Sequence, residues 1–304
     1  MNGDDAELPP EFSVTDEELS NKSGNYIFTI GNAGCGKTTL QQLLVARLWD
    51  RNDIKLDSKN QNNDHRQDTI LNNWVMSIKQ GEFSERSKVG TIQEFNIAFS
   101  QNGQKPLDLN FLEISGEDIK SIIPTLNAQV RPQLHSQLQQ YLQSSSINKR
   151  YILVSDGQKH MRSATPDTFT EDMLFNALLQ YLLKNSERKL QILFVVAQWD
   201  KAQQEYPHIK VYLAKNFPQT WSILNSKRCD ASFIPFTVGT TAQREEIGPD
   251  GEIKKKDYIT SLESRYVDLL IQWIYDSFTG HQLHNMHRIR LTLFDKIIKF
   301  IFSQ

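Results

Sequence analysis

The chain has 304 residues, 38% hydrophobic and 23% charged, with 34 basic residues against 36 acidic for a formal net charge of -2. That suits a globular protein with room for a sizeable core in one large or two small domains, and the near balance of charge removes the electrostatic footprint of a direct nucleic-acid binder. Two cysteines, Cys35 and Cys229, exclude a disulfide framework; with no signal-like N-terminus and no apolar run near the roughly 20 residues of a membrane helix, they predict a cytoplasmic protein without a transmembrane segment.

Residues 1–24 are acidic, contain a Pro-Pro pair and read as a mobile or loosely docked tail. Tyr26–Ile30 alternates and is β-prone, so it reads as a first strand. Leu40, Leu43, Leu44 and Leu48 recur at helical spacing beyond the glycine-rich turn that follows. A polar, Asn/Asp-rich insertion covers about residues 50–88 and holds a short helix around Ile70–Ile78. Phe95–Phe99 and Leu107–Ile114 read as strands joined at Asn102-Gly103, a strong hairpin signal. A broken helix is expected over 119–147, then buried strands at Tyr151–Asp156, Leu190–Asp200 and from Ala231 to Thr240. Amphipathic helices begin near Glu171 and Ser261.

Apolar strands separated by helices predict an α/β protein: a mostly parallel sheet covered on both faces, with one antiparallel hairpin, as in the three-layer P-loop NTPase sandwich. The main domain runs over 25–280. Residues 281–304 predict a C-terminal amphipathic helix, with Met286, Ile289, Leu293, Ile297 and Ile301 on one face. That helix or the insertion is the expected surface for a protein partner or self-association. His281, His284 and His287 lack a matching acid or cysteine for a metal site.

The chemistry concentrates in Gly31-Asn32-Ala33-Gly34-Cys35-Gly36-Lys37-Thr38, which fits G-x-x-x-x-G-K-[ST] between a strand and a helix. Glycines let the backbone curl so that successive N–H groups face phosphate oxygens, and the helix beginning near Thr39 adds its partial positive charge. Lys37 is expected at the β- and γ-phosphates and Thr38 at Mg²⁺. "FLEISGED" supplies Glu113, Gly116 and Glu117, and "KVGTIQEF" supplies Thr91, with Lys88 and Arg86 upstream. "FVVAQWDK" ends in Asp200, whose carboxylate could accept both the N1–H and N2–H of guanine, a donor pair adenine lacks.

Cradle, Thr91, E-x-x-G-E, Asp200 and "FTVGT" stand in the order of a Ras-like GTPase. Over about residues 25–278 the chain resembles the divergent double-GTPase group of the translation-factor-related class, bacterial proteins with an "I-S-G-E" signature. The resemblance implies a six-stranded sheet and GTP or GDP with Mg²⁺ as cofactors. It gives Thr91 and Glu113 to the metal beside Thr38, and Gly116 to sensing the γ-phosphate. Glu117 falls where a water-positioning glutamine usually stands, and Lys88 or Arg86 where some GTPases carry a built-in arginine finger. Gln198 and Val238 join Asp200 at the base. The departures are Glu113 for an aspartate and Ala197-Gln198-Trp199-Asp200 for Asn-Lys-x-Asp.

The expected function is a GTP-binding switch that hydrolyses GTP slowly by in-line attack of water and couples to protein partners. The alternative is a nucleotide-loaded scaffold or sensor subunit of a bacterial conflict or phage-defence complex with little turnover. A P-loop kinase ranks last, since no arginine-rich lid is evident.

Overall fold

The computed structural model describes residues 22–58, 66–83, 93–114, 136–158, 171–247 and 252–284. Strands β1 (Gly24–Ile30), β2 (Ile54–Ser58), β3 (Gln93–Gln101), β4 (Leu107–Ile114), β5 (Ile147–Asp156), β6 (Leu190–Ala197) and β7 (Cys229–Pro235) form one sheet in the order β2-β3-β4-β1-β5-β6-β7. The run β4-β1-β5-β6-β7 is parallel, and β3 and β2 add antiparallel at the β4 edge.

Period-two alternation sends neighbouring side chains to opposite faces, and both faces are buried. On one side Ile27, Ile152, Val154, Leu193 and Val195 pack with helices α1 (Lys37–Trp49), α2 (Arg66–Lys79) and, further along the chain, α8 (Ser264–Thr279). On the other, Tyr26, Phe28, Ile30, Leu153, Phe194 and Val196 pack with α3 (Ser136–Gln143), α4 (Glu171–Lys184), α5 (Trp199–Ala202), α6 (Ile209–Asn216) and α7 (Pro218–Leu224). This is the α/β P-loop sandwich that the strand pattern predicts.

Three differences concern the strands. It has seven strands rather than six, because Ile54–Ser58 inside the polar insertion pairs with β3 as an edge strand. Its run I-K-L-D-S alternates, and Ile54 is buried, so the insertion is less of a surface loop than its composition suggests. β5 begins at Ile147, within the stretch expected to be helical, where Gly24 on β1 supplies its pairing partner. Lastly, β8 (Gly239–Ile247) and β9 (Ile253–Leu262) form a second antiparallel hairpin where one alone was expected, and the strand foreseen over 231–240 divides at Phe236–Val238. The β3–β4 turn at Asn102-Gly103 is as predicted, with Gln104 N donating to Gln101 O at 2.9 Å.

Of the tail expected over 1–24 only residues 22–24 are described, and of the helix expected over 281–304 only residues 281–284; the rest of each lies outside the described residues. No helix among the described residues is long and apolar enough to cross a membrane.

Candidate functional site

Ligand clefts of open α/β sheets lie at the carboxyl ends of the strands, where the connections diverge. Here β1, flanked by β4 and β5, delivers the glycine turn to that edge, and the ends of β4, β5, β6 and β7 bring Glu113, Asp156, Ala197 and Phe236 to the same edge. A cavity of about 1120 Å³ opens there, lined by the turn from Ala33 to Thr39 and by Glu113. Its far side carries Gln198, Asp200 and Val238.

The turn owes its shape to local sterics. A Cβ at Gly31 would stand 2.3 Å from the Val154 carbonyl oxygen and 2.6 Å from Cys35 Sγ, so only glycine lets β1 leave the sheet this close to β5. Gly36 sits at φ +95° as the residue before α1, a left-handed conformation that costs glycine little. No side chain caps α1, and its first turn carries no acid. Its N-terminal amides thus form the partial positive charge that binds anions. Cys35 is fully buried in the core beneath the turn, so it is a packing residue.

Lys37 is buried and bends back over the turn, its Nζ donating to the carbonyl oxygens of Gly31 at 3.0 Å and Asn32 at 3.1 Å. Thr38 Oγ1 donates to Glu113 Oε1 at 2.8 Å. Glu113 is 2% exposed, so the extra methylene over an aspartate lets the carboxylate span from β4 to the first turn of α1. A hydroxyl and a carboxylate in contact beside an anion cradle are hard oxygen donors of the kind Mg²⁺ takes, so these residues fit that ion.

The opposite end of the cleft is formed by three strand ends tied together. Gly157 N donates to Ala197 O at 2.8 Å, Phe236 N to Val196 O at 2.8 Å, and Trp199 N to Phe236 O at 3.0 Å. Asp200 Oδ1 accepts from Thr237 Oγ1 at 3.1 Å, and its Oδ2 lies 3.4 Å from Lys201 Nζ, so the carboxylate is oriented. Gln198 has φ +53°, the one non-glycine residue with positive φ among the described residues, and a costly conformation at a cleft edge marks a functional candidate. Trp199 points into the core and is buried. Asp156 accepts from Gln158 N at 2.9 Å and so serves its own turn.

Sequence reasoning missed two parts of this site. Glu171, the first residue of α4, is buried and accepts from Asn32 Nδ2 at 3.1 Å and from Ser155 Oγ at 2.7 Å, bracing the turn from below. Its charge is felt nearby: burial first, and Glu171 next, push the Tyr212 hydroxyl upward. An acid opening a helix reads as a dipole partner, which hid the role. Phe83, together with Thr241, Gln243 and Asp257 of the second hairpin, also lines the cleft, and no short motif announces them. Thr91, Gly116, Glu117, Lys88 and Arg86 lie outside the described residues.

The sequence model of the family described as Double-GTPase 1 matches residues 28–267. The chain belongs to the Double-GTPase 1 family. Membership supports guanine-nucleotide binding, and the glycine turn is the P-loop of a GTPase fold.

No curated protein matches the chain. Among solved structures it is similar to the signal recognition particle receptor SRb-GTP/SRX complex from Chaetomium thermophilum, at 12% identity and TM-score 0.40 over 71% of this chain and 91% of that one. It is also similar to the S. cerevisiae Ski7 GTPase-like domain bound to GDP and inorganic phosphate, at 15% identity and TM-score 0.40 over 88% of this chain and 53% of that one. A bacterial selenocysteine-specific elongation factor, EF-Sec, is similar at 13% identity and TM-score 0.33, over 71% of this chain and 26% of that one.

Proposed function

We propose that this cleft binds GTP with Mg²⁺ and hydrolyses it slowly, as a switch that couples to protein partners. The observation that carries the reading is one cavity with a P-loop and the Thr38–Glu113 pair at one end and an oriented Asp200 at the other. The amides of the P-loop and Lys37 take the phosphates, where fixed donors act on charge that develops in the transferred group. Thr38 and Glu113 would hold Mg²⁺, which when bound neutralises phosphate charge. Asp200 accepts the guanine N1–H and N2–H pair, and adenine, which offers no such pair, forgoes both hydrogen bonds and loses affinity.

From the sequence, Glu117 orients the attacking water, with Gly116 at the γ-phosphate, Thr91 closing over the metal and Lys88 as a built-in cation. Water attacks in line, the bond to the β-phosphate oxygen breaks, and no covalent enzyme intermediate forms. A carboxylate at the position of Glu117 brings negative charge toward the γ-phosphate, which supports slow turnover without a partner.

Calorimetric titration with non-hydrolysable GTP and ATP analogues, with and without Mg²⁺, tests the reading. Preference for the guanine analogue that is lost in Asp200→Ala supports it. Equal or tighter binding of the adenine analogue overturns it.

A further inference from the structure

The second hairpin has no place in the P-loop chemistry, yet it walls the cleft. It starts at Gly239, directly after the base loop, and returns there, with Glu263 N donating to Val238 O at 3.0 Å. Between these ends it is fastened to the turn after α2. Ile259 N donates to Gly81 O at 2.7 Å, and Glu82 bridges to Tyr258. Gly81 has φ +75°, and a Cβ there would stand 2.4 Å from the Ile259 carbonyl oxygen, so this seam requires glycine. Arg244 closes the seam through Glu82 at 2.8 Å and is held by Glu246 of its own strand at 2.6 Å. A hairpin held at both places stands in fixed relation to the base loop.

Residues opposite each other in an antiparallel ladder share a face, and the faces alternate along the strand. The register pairs Ala242 with Tyr258 and Arg244 with Lys256 on the face half-buried against Glu82. It pairs Thr241 with Ile259, Gln243 with Asp257 and Glu245 with Lys255 on the other. Thr241, Gln243, Asp257 and Lys255 of that second face line the cleft and are exposed, and Ala242 and Lys256 of the first face line it beside them. Gln243 Nε2 donates to Asp257 Oδ1 at 3.0 Å, so the amide orients the acid.

The geometry points to Asp257, oriented by Gln243, as the acceptor for the ribose hydroxyls of the bound guanine nucleotide, a specificity-determining contact supplied by the hairpin. This rests on the GTP-binding reading above. The chemistry of the ligand selects the sugar: a carboxylate repels phosphate, and the O6 and N7 edge of guanine is acceptor only. Apart from the exocyclic amine on the base edge that faces Asp200, the ribose 2′- and 3′-hydroxyls are the donors that remain. In a nucleotide they lie between the phosphates, taken by the P-loop, and the base, taken by Asp200, and the hairpin lines the same cavity as both.

The test titrates the protein, with Mg²⁺, against a non-hydrolysable GTP analogue and its 2′,3′-dideoxy counterpart. A hydrogen bond to a charged group predicts that the unaltered protein prefers the ribose form by about tenfold or more. Asp257→Ala is expected to remove that preference while leaving affinity for the dideoxy form unchanged, and Asp257→Asn, which keeps an acceptor oxygen, to retain part of it. Equal affinity of the unaltered protein for the two forms overturns the ribose contact. An equal loss for both forms in Asp257→Ala overturns it too. If the unaltered protein binds neither form, the GTP-binding reading itself fails, a result distinct from both.

Discussion

Thr38 and Glu113 stand 75 residues apart in the chain and in direct contact, the threonine hydroxyl donating to the buried carboxylate across 2.8 Å. The contact joins the first turn of α1 to β4, so the donors proposed for Mg²⁺ are already assembled by the fold. Thr38→Ala is expected to lower affinity for a non-hydrolysable GTP analogue by tenfold or more with Mg²⁺ present, and by much less in excess chelator. Thr38→Ser should keep most of it. Calorimetry in the two buffers checks this, and equal losses in both would remove the metal role.

Glu171 reaches the same turn from below, taking hydrogen bonds from Asn32 Nδ2 and Ser155 Oγ. Asn32 also offers its carbonyl oxygen to Lys37, so the buried acid positions the residue that positions the lysine. Removing an acceptor from buried donors costs about 1–3 kcal/mol, more when the lost group is charged. Glu171→Ala should therefore lower both urea stability and nucleotide affinity. In the Asn32→Ala background its further effect on affinity should shrink, because the link to the turn is already cut. Full additivity of the two affinity losses would refute the coupling.

Much of this was legible in the sequence, for physical reasons that differ by element. The P-loop is local: β1, the glycines and α1 are consecutive, so spacing alone announces them. Buried strands such as β5 and β6 declare themselves by continuous apolar runs. The edge strand β2 did not, since a buried isoleucine and a half-buried leucine within five residues are too short an alternation to stand out from the polar insertion around them. The second hairpin was missed because its strands read T-T-A-Q-R-E-E-I and I-K-K-K-D-Y-I-T-S-L, where charge pairing across the ladder replaces apolar alternation. Its role in the cleft depends on Gly81, far off in sequence, and on no local signal. The link from Asn32 to Glu171 is equally non-local.

The face of the sheet away from α4 is closed by an ion pair. Arg47, in the last turn of α1, donates through Nε to Asp268 Oδ1 at 2.7 Å and through a terminal nitrogen to Oδ2 at 3.0 Å. The Asp268 side chain is 3% exposed, and the paired carboxylate holds the Arg47 guanidinium above its ordinary range. Leaving a buried charge unpaired costs about 3–5 kcal/mol. Arg47→Ala should lose about 3 kcal/mol in urea unfolding, and a paired Arg47→Met, Asp268→Leu change should recover most of it. A loss below 1 kcal/mol in the single variant would show that Asp268 finds other solvation.

Alkaline pH should act through two opposing sets of groups. Burial lowers the Lys149 ammonium to about 8, while its Nζ donates to the Leu142 carbonyl. Between about pH 8 and 10.5 the unfolded chain then binds more protons at this site than the folded one, and stability rises with pH. The tyrosines act the other way. Burial raises the hydroxyls of Tyr26, Tyr151 and Tyr212 well above the ordinary value of 10.0, with Glu94 adding to the effect at Tyr26 and Glu171 at Tyr212. Above pH 10 the unfolded chain releases protons that the folded one keeps, so stability falls as pH climbs further. Urea midpoints measured from pH 7 to 11 should therefore hold or rise slightly before dropping steeply past about 10. Lys149→Met should flatten the first part and leave the drop in place, whereas Tyr212→Phe should soften the drop. A profile that falls steadily from pH 8 in all three proteins would contradict the assignment of Lys149.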